Sequence, residues 1–100
     1  METTLAKGLK MLEAVARSEG PRGVSDLGRE LGMTRSNAHR LLQTLSALGY
    51  VRHDPVLGQY EATLRLFELG SAVVSGRDVR TISQPLMQAL RQRVDENVIL

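Results

Sequence analysis

Only Gly32-Met33-Thr34 separates two runs of helical hydrophobic spacing, and no other feature of the chain constrains its fold as much. Before the break, Leu27 and Leu31 share one face of a short helix. Ser25 is placed as its N-cap, with Asp26 in the first turn, where a negative charge suits the helix dipole. Gly28 inside this helix costs propensity and marks a close helix approach; Gly32 is placed as the left-handed residue that ends it. After the break, Ala38, Leu41, Leu42, Leu45 and Leu48 recur on one face of a helix capped by Thr34, running to about Leu48 and stopped by Gly49. Two amphipathic helices joined by so tight a glycine-containing turn form the helix-turn-helix pattern.

A hairpin follows directly. Tyr50-Val51-Arg52-His53 has strand propensity, and Gln59-Tyr60-Glu61-Ala62 can return beside it. Between them, Asp54-Pro55-Val56-Leu57-Gly58 has Asp and Pro where a type I turn wants them and a glycine to finish it. A hairpin in this position is the wing of a winged helix-turn-helix.

Upstream, Thr3 or Thr4 can cap a first helix running to about Ser18. Leu5, Leu9, Leu12 and Ala16 form one stripe on it, and Met11 and Val15 form a second beside it. A stripe that wide can serve a core and a partner together. Glu19-Gly20-Pro21-Arg22-Gly23 reads as a loop, with Val24 as a very short strand. Beyond the wing, Leu64, Phe67 and Leu69 open a helix that passes Gly70 to Val74. Another helix spans about Val79 to Val94, with Ile82, Leu86, Leu90 and Val94 on one face; either it begins near Ser83 with Pro85 in its first turn, or Pro85 kinks it. The chain stops at the apolar, strand-like Asn97-Val98-Ile99-Leu100, read as the beginning of a further domain. The fold class expected is therefore mainly α with a small β-hairpin: a winged helix-turn-helix over 1–63, linker helices over 64–96, and at 97–100 the start of a missing domain.

Composition removes whole classes of function. With 100 residues the chain fits one domain and little more. Its three aromatics, Tyr50, Tyr60 and Phe67, leave an aliphatic core and argue against a base-stacking single-strand binder. The absence of cysteine excludes disulfides and cysteine-ligated zinc and suits a reducing cytoplasm. No stretch approaches a membrane span, and the N-terminus is too polar for a signal peptide. The net charge of +2 hides a local excess, because Leu31 to His53 carries Arg35, Arg40 and Arg52 and no Asp or Glu. A local basic face matters more for nucleic-acid binding than net charge does.

On a wheel at about 100° per residue, Ser36, His39, Arg40, Gln43 and Ala47 point away from the leucine stripe, with Arg35 on the N-terminal flank. A recognition helix needs this arrangement, since its N-terminal residues enter the major groove and meet base edges. Arg can fork onto guanine O6 and N7, and Gln can pair similarly with adenine. Hydroxyls and backbone N–H groups near a helix start can hold phosphates. Arg52 and His53 of the wing can reach the backbone or minor groove. Polar outer faces are common on helices that bind nothing; the tight turn, the missing carboxylates and the following wing together favour recognition. Enzyme readings lack support. Ser36 and His39 have no carboxylate near in sequence to orient the imidazole, His39, His53 and Asp54 make a poor metal set, and the glycines match no phosphate loop. No cofactor is called for. The alternative, a winged-helix module that binds protein, predicts an apolar or acidic recognition face.

The chain resembles the N-terminal part of an IclR-family bacterial transcription regulator. The resemblance rests on Leu9-Lys10-Met11-Leu12, on Ser25 through Gly32, on His39-Arg40-Leu41-Leu42-Gln43-Thr44-Leu45, on Gly49-Tyr50-Val51-Arg52, on Gly58-Gln59-Tyr60 and on Leu64 through Gly70. Glu96-Asn97-Val98-Ile99-Leu100 is similar to the run that opens the family's effector-binding domain. The resemblance implies sequence-specific binding of double-stranded DNA by a cytoplasmic repressor or activator, on palindromic operators. It also implies homodimers or tetramers, held through helix 1 and the linker, and a C-terminal domain that senses a small-molecule effector, often in carbon-source or aromatic catabolism. The DNA-binding residues expected are Ser25, Thr34, Arg35, Ser36, Asn37, His39, Arg40 and Gln43, with Arg52, His53 and Gln59 from the wing. Two positions depart from the family pattern. Asn37 stands where Thr is frequent, which bears on operator preference, and Ala62-Thr63 stands where Leu-Gly is frequent, which bears on the junction of wing and linker.

Overall fold

A computed structural model describes residues 1–75. The helix expected over about Val79–Val94 and the apolar end at Asn97–Leu100 lie outside the described residues. The element order is α1 (Thr3–Ala16), β1 (Arg22–Gly23), α2 (Val24–Leu31), α3 (Arg35–Ala47), β2 (Val51–Asp54), β3 (Gln59–Ala62) and α4 (Arg65–Ser75). The fold is mainly α, with a small antiparallel sheet in the order β1-β3-β2. Contacts divide the chain into two units, Met1–Leu66 and Phe67–Leu100. No helix among the described residues is long and apolar enough to cross a membrane.

The sheet gains a third strand that the sequence reading assigned to a loop. Arg22 pairs with Tyr60 and Gly23 with Gln59. This pairing corrects the start of α2. Gly23, extended at φ −84° and ψ 159°, is the N-cap, and Val24 is already helical. Ser25 is therefore not the cap, and Val24 is not a strand. The physical reason is that strand pairing holds the backbone extended up to Gly23, so the helix begins at the next residue and Val24 enters the core at 7% exposure. The cap of α1 also moves. Glu2 takes the position, its Oε1 accepting the Thr4 N–H at 3.2 Å, where Thr3 or Thr4 was expected.

The two stripes of α1 are buried unequally, with Leu12 of the first half-buried against the core. Met11 and Val15 are buried, whereas Leu5 and Leu9 stand 62% and 54% exposed. The core joins Met11 and Val15 to Val24 and Leu27 of α2, Ala38 and Leu42 of α3, and Val51 and Tyr60 of the sheet. Every element of the winged unit from α1 onward except β1 contributes a fully or nearly fully buried side chain. On α3 the expected stripe is graded: Ala38 and Leu42 are enclosed, Leu41 and Leu45 are half-buried against the core, and Leu48 is exposed.

The turn between α2 and α3 is held at both ends. Gly32 adopts φ 68°, its N–H bonds the Arg29 carbonyl, and the Met33 N–H bonds the Gly28 carbonyl at 2.8 Å. These two bonds satisfy carbonyls that the end of a helix leaves free, and the left-handed conformation they need suits glycine. The same pair closes α3, with Gly49 at φ 88° and the Tyr50 N–H on the Leu45 carbonyl at 2.9 Å. Gly28 does mark a close approach. A Cβ there would stand 3.1 Å from the Met33 carbonyl oxygen and 3.5 Å from the Ala38 Cβ. The absent side chain lets α2 and α3 sit this close.

Candidate nucleic-acid interface

Thr34 begins α3 as expected. Its Oγ1 accepts the Asn37 N–H at 3.2 Å, and its extended backbone sets the direction of the helix. Arg35, Ser36, Arg40 and Gln43 are exposed; Asn37 and His39 are half-buried. No acidic residue occurs on α3. Arg40 is not free-swinging, because its Nη2 donates to Asn37 Oδ1 at 2.9 Å. That bond uses one of five donors and leaves the rest of the guanidinium available. Ser25 lies apart from this group, exposed in the first turn of α2.

The wing residues divide between the two faces of the sheet. Arg52 pairs across the ladder with Glu61, and His53 with Tyr60. Because side chains alternate along a strand, Arg52 and His53 face opposite ways. Arg52 Nη2 forms an ion pair with Glu61 Oε1, on the face where Arg52, Gln59, Glu61 and Pro21 border a shallow hollow that His53, Asp54 and Pro55 also line. His53 stacks on Tyr60, ring centres 4.5 Å apart and planes 25° from parallel. His53 and Tyr60 then form one wall of a groove whose other wall is His39, Gln43, Ser46 and Ala47 of α3. The structure thus brings together His39, Gln43 and His53, whereas Arg52 and Gln59 border only the hollow on the other side, whose lining His53 shares.

The hairpin itself is stiffened from within. Asp54 Oδ1 accepts the N–H groups of Val56 at 2.9 Å and Leu57 at 3.2 Å, and Gly58 at φ 65° returns its N–H to the Asp54 carbonyl. Thr63 ties the end of the wing to the end of α3, its Oγ1 donating to the Gly49 carbonyl at 2.6 Å. The Arg65 guanidinium lies over the Tyr50 ring at 5.1 Å. The junction at Ala62-Thr63 is therefore built on a hydroxyl where the family pattern often has glycine.

Arg22 was missed. It lies in a stretch that reads as a polar loop, and its three partners are separated in sequence. Its Nε meets Asp26 Oδ2 at 2.6 Å, its Nη2 meets Glu30 Oε1 at 2.8 Å, and its Nη1 donates to Ser18 Oγ at 3.0 Å. The Asp26 and Glu30 carboxylates raise the Arg22 pKa above its ordinary value, and Arg22 holds the Asp26 carboxyl below the usual carboxylate range. This side chain joins the end of α1, β1 and α2, so it fixes the scaffold that presents α3. The spacing of Arg22, Asp26 and Glu30 at four-residue steps was the available signal.

Comparison with known proteins agrees with this geometry. Residues 4–55 match the IclR helix-turn-helix domain. The chain is 33% identical over 95 residues to the transcriptional repressor IclR of Escherichia coli, covering 95% of this chain and 35% of that protein. It is 35% identical over 94 residues to the transcriptional repressor AllR of Salmonella paratyphi A, covering 94% of this chain and 35% of the relative. The chain thus spans about a third of the length of these relatives. Among solved structures, an IclR-family transcriptional regulator from Brucella abortus superimposes with a TM-score of 0.73 at 34% identity, covering 90% of this chain and 34% of that one. With the tight turn, the wing and a family match over more than half its length, the chain belongs to the IclR family of transcription regulators.

Proposed function

We propose that this chain is the DNA-reading end of a bacterial regulator, with α3 in the major groove and the wing on the flanking backbone or minor groove of a palindromic operator. The observation that carries the reading is the outer face of α3. Arg35, Ser36, Arg40 and Gln43 are exposed there, no carboxylate interrupts them, and Arg40 is steadied by Asn37. Thr34, Asn37 and His39 complete the helix contacts, Ser25 reaches a phosphate from α2, and Arg52, His53 and Gln59 support from the wing. The exposed Leu5 and Leu9 of α1, with the linker over 64–96, hold two copies together as a dimer or tetramer. Residues 97–100 open an effector-binding domain that gives the intact regulator its response to a small molecule. Repression is the favoured sign of control, since the relatives IclR and AllR are named repressors. A protein-docking winged helix would present apolar or acidic side chains on α3; no acidic residue occurs there, and Ala47 is its one exposed apolar side chain.

The test is selection of duplexes from a random-sequence pool, followed by titration of the enriched duplex at several salt concentrations. Each phosphate contact adds about −0.9 to the log–log slope. Arg40→Ala is expected to weaken binding by about 1–3 kcal/mol and to relax preference at one base pair. A flat salt response, or unchanged affinity in Arg40→Ala, refutes the assignment.

A further inference from the structure

We propose that Val56 and Leu57, at the tip of the wing, are specificity-determining residues that act by apolar contact. They pack on sugars and base edges beside the half-site, draw no strength from charge, and favour A·T over G·C pairs there. The inference rests on the DNA-binding reading above and extends it to two residues which that reading does not use.

The tip is apolar and offers a phosphate nothing to hold. Val56 is 89% exposed and Leu57 66% exposed, so both aliphatic side chains stand in water at the unfavourable end of the hydrophobic scale. Every backbone donor of the turn is spent. The Val56 and Leu57 N–H groups both donate to Asp54 Oδ1, the Gly58 N–H donates to the Asp54 carbonyl at 2.8 Å, and Pro55 has no N–H. Between Tyr50 and Ala62 the only Lys or Arg is Arg52, and it is paired with Glu61 of the adjacent strand. One Arg against Asp54 and Glu61 leaves the wing no net positive charge. The cations that draw in a duplex are therefore those of α3, Arg35 and Arg40, and what the tip can add is burial of apolar surface.

Its place in the fold says what buries it. The turn leaves directly from the end of β2, where His53 lines a groove together with His39, Gln43 and Ser46 of α3. The tip is thus continuous with the face that α3 presents to DNA. The bonds to Asp54 already hold it in one shape, so seating it costs little ordering entropy. Aliphatic side chains are suited to the minor groove, where they pack against sugars and base steps. The base pairs differ there: A·T shows only acceptors, whereas G·C adds the guanine N2 amino group. That group stands in the space the side chains would fill, and an aliphatic side chain has no acceptor to replace its lost water.

The experiment uses the enriched duplex, labelled for fluorescence anisotropy and titrated at several salt concentrations, with the base pairs flanking its core made all A·T or all G·C. The parent chain is expected to bind the A·T-flanked duplex at least about fivefold more tightly. Val56→Thr with Leu57→Gln keeps the size of the tip and removes its apolar character. It is expected to weaken binding to the A·T-flanked duplex by about tenfold, to lose the preference between flanks, and to leave the salt slope unchanged. Val56→Lys with Leu57→Lys reports whether the tip lies at the duplex at all, and should steepen the slope by about 0.9 for each new phosphate contact. Circular dichroism of both variants should match the parent, since neither residue is in the core. If the first variant misfolds, the parent's flank preference and the lysine slope still decide. Equal binding to both flanks by the parent, full affinity in the Thr-Gln variant, or an unchanged slope in the lysine variant each overturns the inference and leaves the DNA-binding reading standing. A salt slope that flattens in the Thr-Gln variant also overturns it, because the tip would then be holding a phosphate. Failure to enrich any duplex overturns the DNA-binding reading itself.

Discussion

Replacing Gly28 by alanine tests whether the close packing of the helix-turn-helix is a steric fact or an accident of composition. Two terms oppose each other. Alanine in a helix interior gains about 1 kcal/mol over glycine. Against that, the added Cβ would meet the Met33 carbonyl oxygen at 3.1 Å, tighter than ordinary contact, and the Ala38 Cβ at 3.5 Å. The carbonyl is backbone, in a turn whose next move is blocked: the Met33 N–H is bonded to the Gly28 carbonyl at 2.8 Å, and the Thr34 carbonyl accepts the Ala38 N–H at 3.0 Å. Over-packing of this kind costs about 1–3 kcal/mol. The expected net effect of Gly28→Ala is a loss of up to about 2 kcal/mol, or roughly 4–8 °C in Tm per kcal/mol for a domain of this size. Gly8→Ala supplies the internal standard. Gly8 lies within α1, and a Cβ there meets nothing within 4 Å, so only the propensity gain applies. Because that gain is common to both variants, the difference between them isolates the steric cost. Urea unfolding followed by circular dichroism, repeated at several protein concentrations to remove any effect of association, measures it. If Gly28→Ala stabilises as much as Gly8→Ala, the reasoning about the turn is wrong.

Three further outcomes are expected. Asn37→Thr removes the acceptor that steadies Arg40 and should weaken operator binding by about 1 kcal/mol, roughly fivefold in Kd, with a relaxed preference at the base facing Arg40; an unchanged selected sequence would show that the tether has no role. Asp26 has a lowered pKa in the fold because of Arg22, so its contribution to stability is complete above the unfolded carboxylate value near pH ~4 and is lost as pH falls through the lower folded value. Acid unfolding of Arg22→Met should lack that part of the decline, and identical acid limbs for parent and variant would count against the ion-pair network. Leu9→Lys tests the proposed dimer contact: it places a charge on a side chain already 54% exposed, so the domain should stay folded while any self-association of the parent weakens in sedimentation velocity, and undiminished association would refute Leu9 as part of that contact.

Much of the fold is legible along the chain because its signals are local. Helical spacing, the cap at Thr34, the left-handed glycines at Gly32 and Gly49, and the Asp-Pro turn of the wing each depend on neighbours within a few residues. The outer face of α3 was legible for the same reason, since position on a helix follows from spacing alone. What remained hidden depends on partners far apart in sequence. Arg22-Gly23 carries no strand pattern of its own and becomes one only because Tyr60 and Gln59 lie beside it. That pairing moves the N-cap of α2 from Ser25 to Gly23.

The candidate site divides in the same way. The residues of α3 could be chosen from the sequence, but which wing residues accompany them could not. Arg52 and His53 are neighbours in sequence, and alternation along β2 sends them to opposite faces; only the packing of the sheet on α3 decides which face meets the helix. The two stripes of α1 pose the same problem. Both are apolar, and burial of Met11 and Val15 rather than Leu5 and Leu9 follows from where α2, α3 and β3 lie. The sequence by itself determined the elements, the tight turn and the polar face of α3, because each arises from interactions within a turn or two of backbone. The tertiary structure alone decided which of two equivalent-looking faces turns inward, because that choice belongs to the partner surface and is not written in the element itself.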